Sequence, residues 1–98
     1  MNPLDQALDR GIKAERLLRD EMLTGAFDAV AQAIHERWAQ TPVRDIEGQT
    51  NLRLQLKLLG DVRANLEQAV SDGKIAAAEL KLQHRRELSP AEFRAAIR

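Results

Sequence analysis

The groups best equipped for chemistry in this chain are two histidines and fifteen carboxylates, and their placement argues against catalysis. His35 stands beside Glu36 and three residues before Trp38, a setting in which a general base is conceivable. Such a base needs a partner within hydrogen-bond reach, a nucleophile to activate or a group to orient it. No nucleophile and no second ligand lies at a helical step from His35, so it reads as a solvated or core-edge residue. His84 sits in the basic run Lys81-Leu82-Gln83-His84-Arg85-Arg86 and reads as solvated. The carboxylates are scattered among Arg and Lys at i+3 and i+4, as in Glu15 and Arg19, which is how a salt-bridged surface is written. There is no His-Glu-x-x-His pair and no glycine-rich phosphate loop. The absence of cysteine removes disulfides, thiolate catalysis and the usual structural zinc sites. The sequence therefore predicts no enzyme, no cofactor, no metal and no small-molecule substrate.

Binding surfaces are what remain. The corner Trp38, Thr41, Pro42, Arg44 and Asp45 can be the covered end of a helical hairpin, with Arg44 and Asp45 ordering the turn. Trp and Arg are also enriched at partner-binding hot spots. With the leucines that follow and two apolar residues near the end of the chain, it defines a candidate protein interface: Trp38, Arg44, Leu54, Leu58, Leu59, Phe93 and Ile97. The charge is balanced overall, at fifteen of each sign, but polarised along the chain. Residues 1–73 hold nine Lys/Arg against twelve Asp/Glu, and residues 74–98 hold six against three. Lys74, Lys81, Arg85, Arg86, Arg94 and Arg98, with His84 among them, form the alternative candidate surface, for nucleic acid. A net charge of zero and the lack of aromatics interleaved with the basic residues count against that alternative.

These residues must be positioned by helices, because no run of residues alternates as a strand does. A first helix is expected over about Leu4 to Met22, with Pro3 in its opening turn, Asp5 at its positive end and Leu8, Ile12, Leu18 and Met22 on one stripe. Gly11 interrupts that stripe at a cost of about 1 kcal/mol. Thr24-Gly25 reads as a break or bend, with Thr24 capping a second helix whose buried face is Phe27, Val30, Ala31, Ile34 and Trp38; one long kinked helix is the other possibility. Pro42 stops this helix at about Gln40. Asp45 caps a third helix from about Ile46 to Ser71, a rod of roughly 40 Å. Its stripe is Leu52, Leu56, Leu59, Val62, Leu66 and Val70, widened by Leu54 and Leu58. Ser71-Asp72-Gly73 reads as its end, with Gly73 in the left-handed position that closes many helices. Ser89-Pro90-Ala91-Glu92 is a capping-box signature for a short final helix carrying Phe93 and Ile97.

The expected fold is all-α, a three-helix antiparallel bundle or a helical hairpin with a long third helix and a short C-terminal one. Residues 1–78 form the helical body and residues 79–98 a basic C-terminal helical arm. Ninety-eight residues with three aromatics (Phe27, Trp38, Phe93) make one small domain with a thin core. More leucine is on offer than short helices can cover, so a homo-oligomer is expected. The opening MNPLDQALDRGIKAER lacks the apolar run of a signal peptide, and no segment reads as membrane-embedded.

The pattern Trp38-x-x-Thr41-Pro42-x-Arg44-Asp45-x-Glu47-Gly48, followed by Leu52, Leu56 and Leu59 and later by Asp72-Gly73-Lys74, resembles small helical proteins of tailed bacteriophages and prophages. The preceding segment, with Leu17-Leu18 ahead of a short break and Phe27, is similar too. The resemblance spans about residues 10–78, leaves the basic tail uncovered, and departs at Gln49-Thr50, where a more charged pair is expected. It implies a phage-encoded protein of the virion or its assembly, found in the host cytoplasm or the virion, partnered by itself and other phage proteins. It implies no active site. Two other readings stay open: a nucleic-acid-binding accessory protein such as a small DNA-packaging subunit, and a small regulator or inhibitor that occupies a groove of a host protein.

Overall fold

The structure is a computed structural model that describes residues 2–87 together with Ala91 and Arg94. The chain is all-α: α1 spans Pro3–Arg19, α2 Glu21–Gln40 and α3 Ile46–Glu87, with no strand among the described residues. Each helix starts where a short polar side chain satisfies backbone donors that have no partner within the helix. Asn2 Oδ1 accepts from the Asp5 N–H at 2.9 Å, with Pro3 in the first turn. Asp45 Oδ1 accepts from the Gly48 N–H at 2.9 Å, opening α3 where expected. The turn before it is closed by the Asp45 N–H donating to Pro42 O at 2.9 Å. The Thr41 hydroxyl donates to Arg37 O at 2.7 Å, at the expected end of α2.

The first break lies earlier than the sequence suggests. It falls at Asp20, not at Thr24-Gly25, and Thr24 caps nothing. Asp20 has an extended backbone, and its Oδ1 accepts from the N–H groups of Met22 at 2.8 Å and Leu23 at 3.2 Å. A carboxylate receiving two donors at a helix start also gains from the dipole there, and outcompetes threonine. The Thr24 hydroxyl instead donates back to Asp20 O within α2. Met22 consequently leaves the α1 stripe and is 82% exposed.

The second correction concerns Gly73. Neither it nor any other described residue has a positive φ, and α3 runs through it to Glu87 as 42 residues of continuous helix. Gly73 is where α1 and α3 touch. A Cβ on Gly73 would lie 2.8 Å from Gly11 Cα and 3.2 Å from Ala7 O. A Cβ on Gly11 would lie 2.8 Å from Gly73 Cα and 2.9 Å from Ala69 O. Glycine here lets two backbones meet, its other common use in a helix. The same reason explains Gly11, which reads as a flaw in a stripe when α1 is considered alone. Ala14 and Ala76 are the other buried residues of this contact region.

Gly11 meets Gly73, Asp28 meets Arg63, and Trp38 meets Gln49. As α1 and α2 ascend, α3 descends, so α3 runs antiparallel to both, with α1 along its C-terminal half and α2 along its N-terminal half. The molecule is drawn out, 73 × 24 × 24 Å. Along α3 the buried and half-buried residues Leu52, Leu56, Leu59, Leu66, Val70, Gly73, Ala77 and Leu80 fall at steps of three, four or seven, with Ala69 and Ala76 beside Gly73 at the α1 contact. That is the 3.5-residue period of helices wound around one another. Val62, 54% exposed, leaves the stripe in which the sequence placed it. Arg63, its side chain 45% exposed, reaches across to Asp28 of α2 at 4.0 Å and lies 3.7 Å from Glu67. On α2 the same period selects Phe27, Ala31, Ile34 and Trp38 and turns Val30 outward.

Candidate interaction surface

The two ends of α3 are packed differently. The Cα traces of α1 and α3 approach far more closely than those of α2 and α3, because glycine and alanine line the first contact and leucine, isoleucine and phenylalanine the second. Large side chains hold α2 away from α3. Ile34 and Leu52 are buried between them, at 4% and 7% exposure, while the apolar residues next to the seam are left uncovered. Leu54, Leu58 and Val62 are spaced by four along α3 and are 52%, 64% and 54% exposed. Val30, on α2, is 49% exposed. Between them lies an open groove of about 400 Å³ lined by Val30, Ala33, Ile34, Leu58, Leu59 and Val62, with Arg37 and Gln55 also on its lining. It continues at one end to Leu23, Ala26 and Phe27, and along α3 to Asp61, Asn65 and Leu66. A contiguous apolar strip of this kind, edged by polar groups, is the usual mark of a protein–protein contact.

The Trp38 corner behaves as the end of the hairpin. Its indole Nε1 donates to Gln49 Oε1 at 2.6 Å, and Gln49 Nε2 reaches back to the carbonyls of Thr41 and Pro42 at 3.4 and 3.3 Å. Gln49, where the resembling pattern expects a charged residue, thus ties α2 to α3. Arg44 is exposed in the turn, and Val43 and Ile46 beside it are exposed as well. Lys74, Lys81, Arg85 and Arg86 are all exposed along the last third of α3, and Arg94 is exposed beyond it. The first four lie on a continuation of the same helix as the leucines. Phe93, Ile97, Arg98 and the Ser89 capping box lie outside the described residues.

Of the residues singled out from sequence, the structure brings Leu58 and Leu59 together at the groove, with Leu54 on the same stripe. Leu59 faces both the seam and the groove. Val30 and Val62 belong to the groove and were missed, having been assigned to buried stripes. His35 and His84 are exposed, and among the described residues no group of three or more His, Asp or Glu side chains is placed to hold a metal ion. No described helix is long and apolar enough to cross a membrane. In comparisons with family models, with curated proteins and with solved structures, this chain finds no match.

Proposed function

We propose that this chain is a non-enzymatic helical assembly protein that works by helix–helix contacts and self-association. The observation that carries this reading is the uncovered strip Leu54, Leu58, Val62 and Val30 around the α2–α3 groove. About half of each of these side chains is still exposed, so covering them would gain roughly 1 kcal/mol apiece, a sizeable sum against the 5–15 kcal/mol that stabilises an ordinary domain. The described core, by contrast, has only Ala14, Ile34, Leu52 and Ala76 well buried. A second copy covers the strip at both hairpins at once, completing a bundle that one chain leaves unfinished. The resemblance to small tailed-phage proteins supports setting this in virion assembly, with other phage proteins as further partners.

The exposed basic residues at the far end of α3 keep one second reading in view, an accessory nucleic-acid-binding role. The two readings respond oppositely to salt. Phosphate contacts are lost as salt rises, whereas apolar association is not weakened by it. Light scattering should show a mass above the 11.0 kDa of one chain that persists from low to high salt. A monomer at every salt concentration, with duplex DNA retained at low salt and released at high salt, would replace this proposal with the second reading.

A further inference from the structure

The charges of α3 are sorted by flank. Arg53, Lys74 and Lys81 differ by multiples of seven residues, as do Lys57 and Arg85, and Lys57 lies four residues after Arg53. In helices wound at 3.5 residues per turn, such spacing places all five on one side of α3. All five are exposed, and the ion pairs of the described residues involve Lys13, Arg19 and Arg63 but none of them. By the same count Glu47, Asp61, Asp72 and Glu79 fall on the neighbouring flank, with Arg86. The net charge of zero is therefore a sum over unlike faces. Carboxylates bordering the basic flank are engaged elsewhere. Glu67 lies 3.7 Å from Arg63, and Glu15, which lines a hollow with Lys74, accepts from Arg19 at 2.9 Å.

On this basis we infer that the basic flank of α3 docks double-stranded nucleic acid, through its phosphates and without reading sequence. Lys and Arg side chains neutralise phosphates, and the spacing selects a duplex. The cations form two groups, Arg53 with Lys57, and Lys74 with Lys81 and Arg85. The centres of these groups stand about 37 Å apart at 1.5 Å per residue. A duplex brings the same backbone round once per turn, about every 34–36 Å. A helix laid along the duplex thus meets phosphates at each group. Between the groups Gly60, Ala64 and Ser71, exposed and small, let the helix lie close. The strip Leu54, Leu58 and Val62 lies off this flank, so a second copy seated on that strip leaves the cations free. Nucleic-acid docking here goes beyond the self-association reading and does not depend on it.

Fluorescence anisotropy of labelled DNA with the full chain tests this. A duplex of about 16 base pairs, roughly 54 Å at 3.4 Å per pair, spans both groups and should bind at low salt. Five phosphate contacts predict that the logarithm of the affinity falls with the logarithm of salt at a slope of about −4.5. A duplex of about 8 base pairs, roughly 27 Å, reaches one group only and should show about half that slope. Arg85→Ala should weaken binding and lower the slope by about 0.9. Arg86→Ala, one residue away on the other flank, should leave both unchanged. Leu58→Glu should still bind, which reads nucleic-acid binding apart from self-association. Equal losses in Arg85→Ala and Arg86→Ala would make the effect one of net charge and overturn the inference. Loss of binding in Leu58→Glu would overturn it by placing the site on the leucine strip. So would equally tight binding of a single strand of the same length, of phosphatidylserine vesicles or of polyglutamate, or no binding of the longer duplex at low salt.

Discussion

The two halves of the hairpin solve the same packing problem in opposite ways. Along the C-terminal half of α3, Ala7, Gly11 and Ala14 face Ala69, Gly73 and Ala76, and the backbones come into contact. The helices close on one another there, with a dimple of about 100 Å³ beside the crossing. Along the N-terminal half, Ile34, Phe27, Leu52 and Leu59 bring much more apolar bulk and keep the helices apart. Bulk at the seam widens the interhelical space, and two helices alone cannot enclose it. The difference teaches that small residues let two helices close on each other, whereas bulky ones leave Leu54, Leu58, Val62 and Val30 exposed, the feature on which the self-association proposal rests.

The comparison can be broken at its tightest point. Gly73→Leu forces a side chain into the backbone of α1 and should cost about 3 kcal/mol, the upper part of the usual range for overpacking, read as a lower urea midpoint. Equal stability of the variant would mean that the glycine contact is not a support of the fold. The wide half has a specific tether in the Trp38–Gln49 hydrogen bond. Trp38→Phe removes that bond while keeping an aromatic body, and should cost about 1 kcal/mol, with helix content unchanged by circular dichroism. The smallest effect separates glycines that touch another helix from those that do not. Nothing lies within 4 Å of a Cβ built on Gly25 or Gly60. Gly25→Ala and Gly60→Ala should therefore each stabilise the chain by roughly 0.5–1 kcal/mol, measured by thermal unfolding, whereas Gly11→Ala should destabilise it.

Much of this architecture is written in local signals. Pro42 and Asp45 fix the end of α2 and the start of α3 because proline sterics and a capping carboxylate act within one turn, and both boundaries fall where those signals put them. The Asp20 break was legible too, as an acidic residue at the head of an apolar run, but Thr24-Gly25 offered a competing signal of the same strength. Gly73 could not be assigned from its own neighbourhood. Ser71-Asp72-Gly73 satisfies the rule for a helix end, and what overrides it is Gly11, 62 positions earlier in the chain. Val30 and Val62 were misplaced for a subtler reason. At helical spacing they lie beside the apolar stripe as well as any neighbour does, and their exposure is settled only by the packing of α2 on α3. The leucines of the candidate surface were visible in the sequence, but which of them would remain uncovered depends on how far apart α2 and α3 stand.

The claim that the wide half awaits a second copy is tested most directly by sedimentation equilibrium of the intact chain and of Leu58→Glu. Leu58 is exposed and outside the seam, so the charge should leave each hairpin folded, as helix content will verify. The native chain should sediment at twice 11.0 kDa and Leu58→Glu as a monomer of unchanged helicity. A native chain that remains a single 11.0 kDa species at high micromolar concentration would contradict the account.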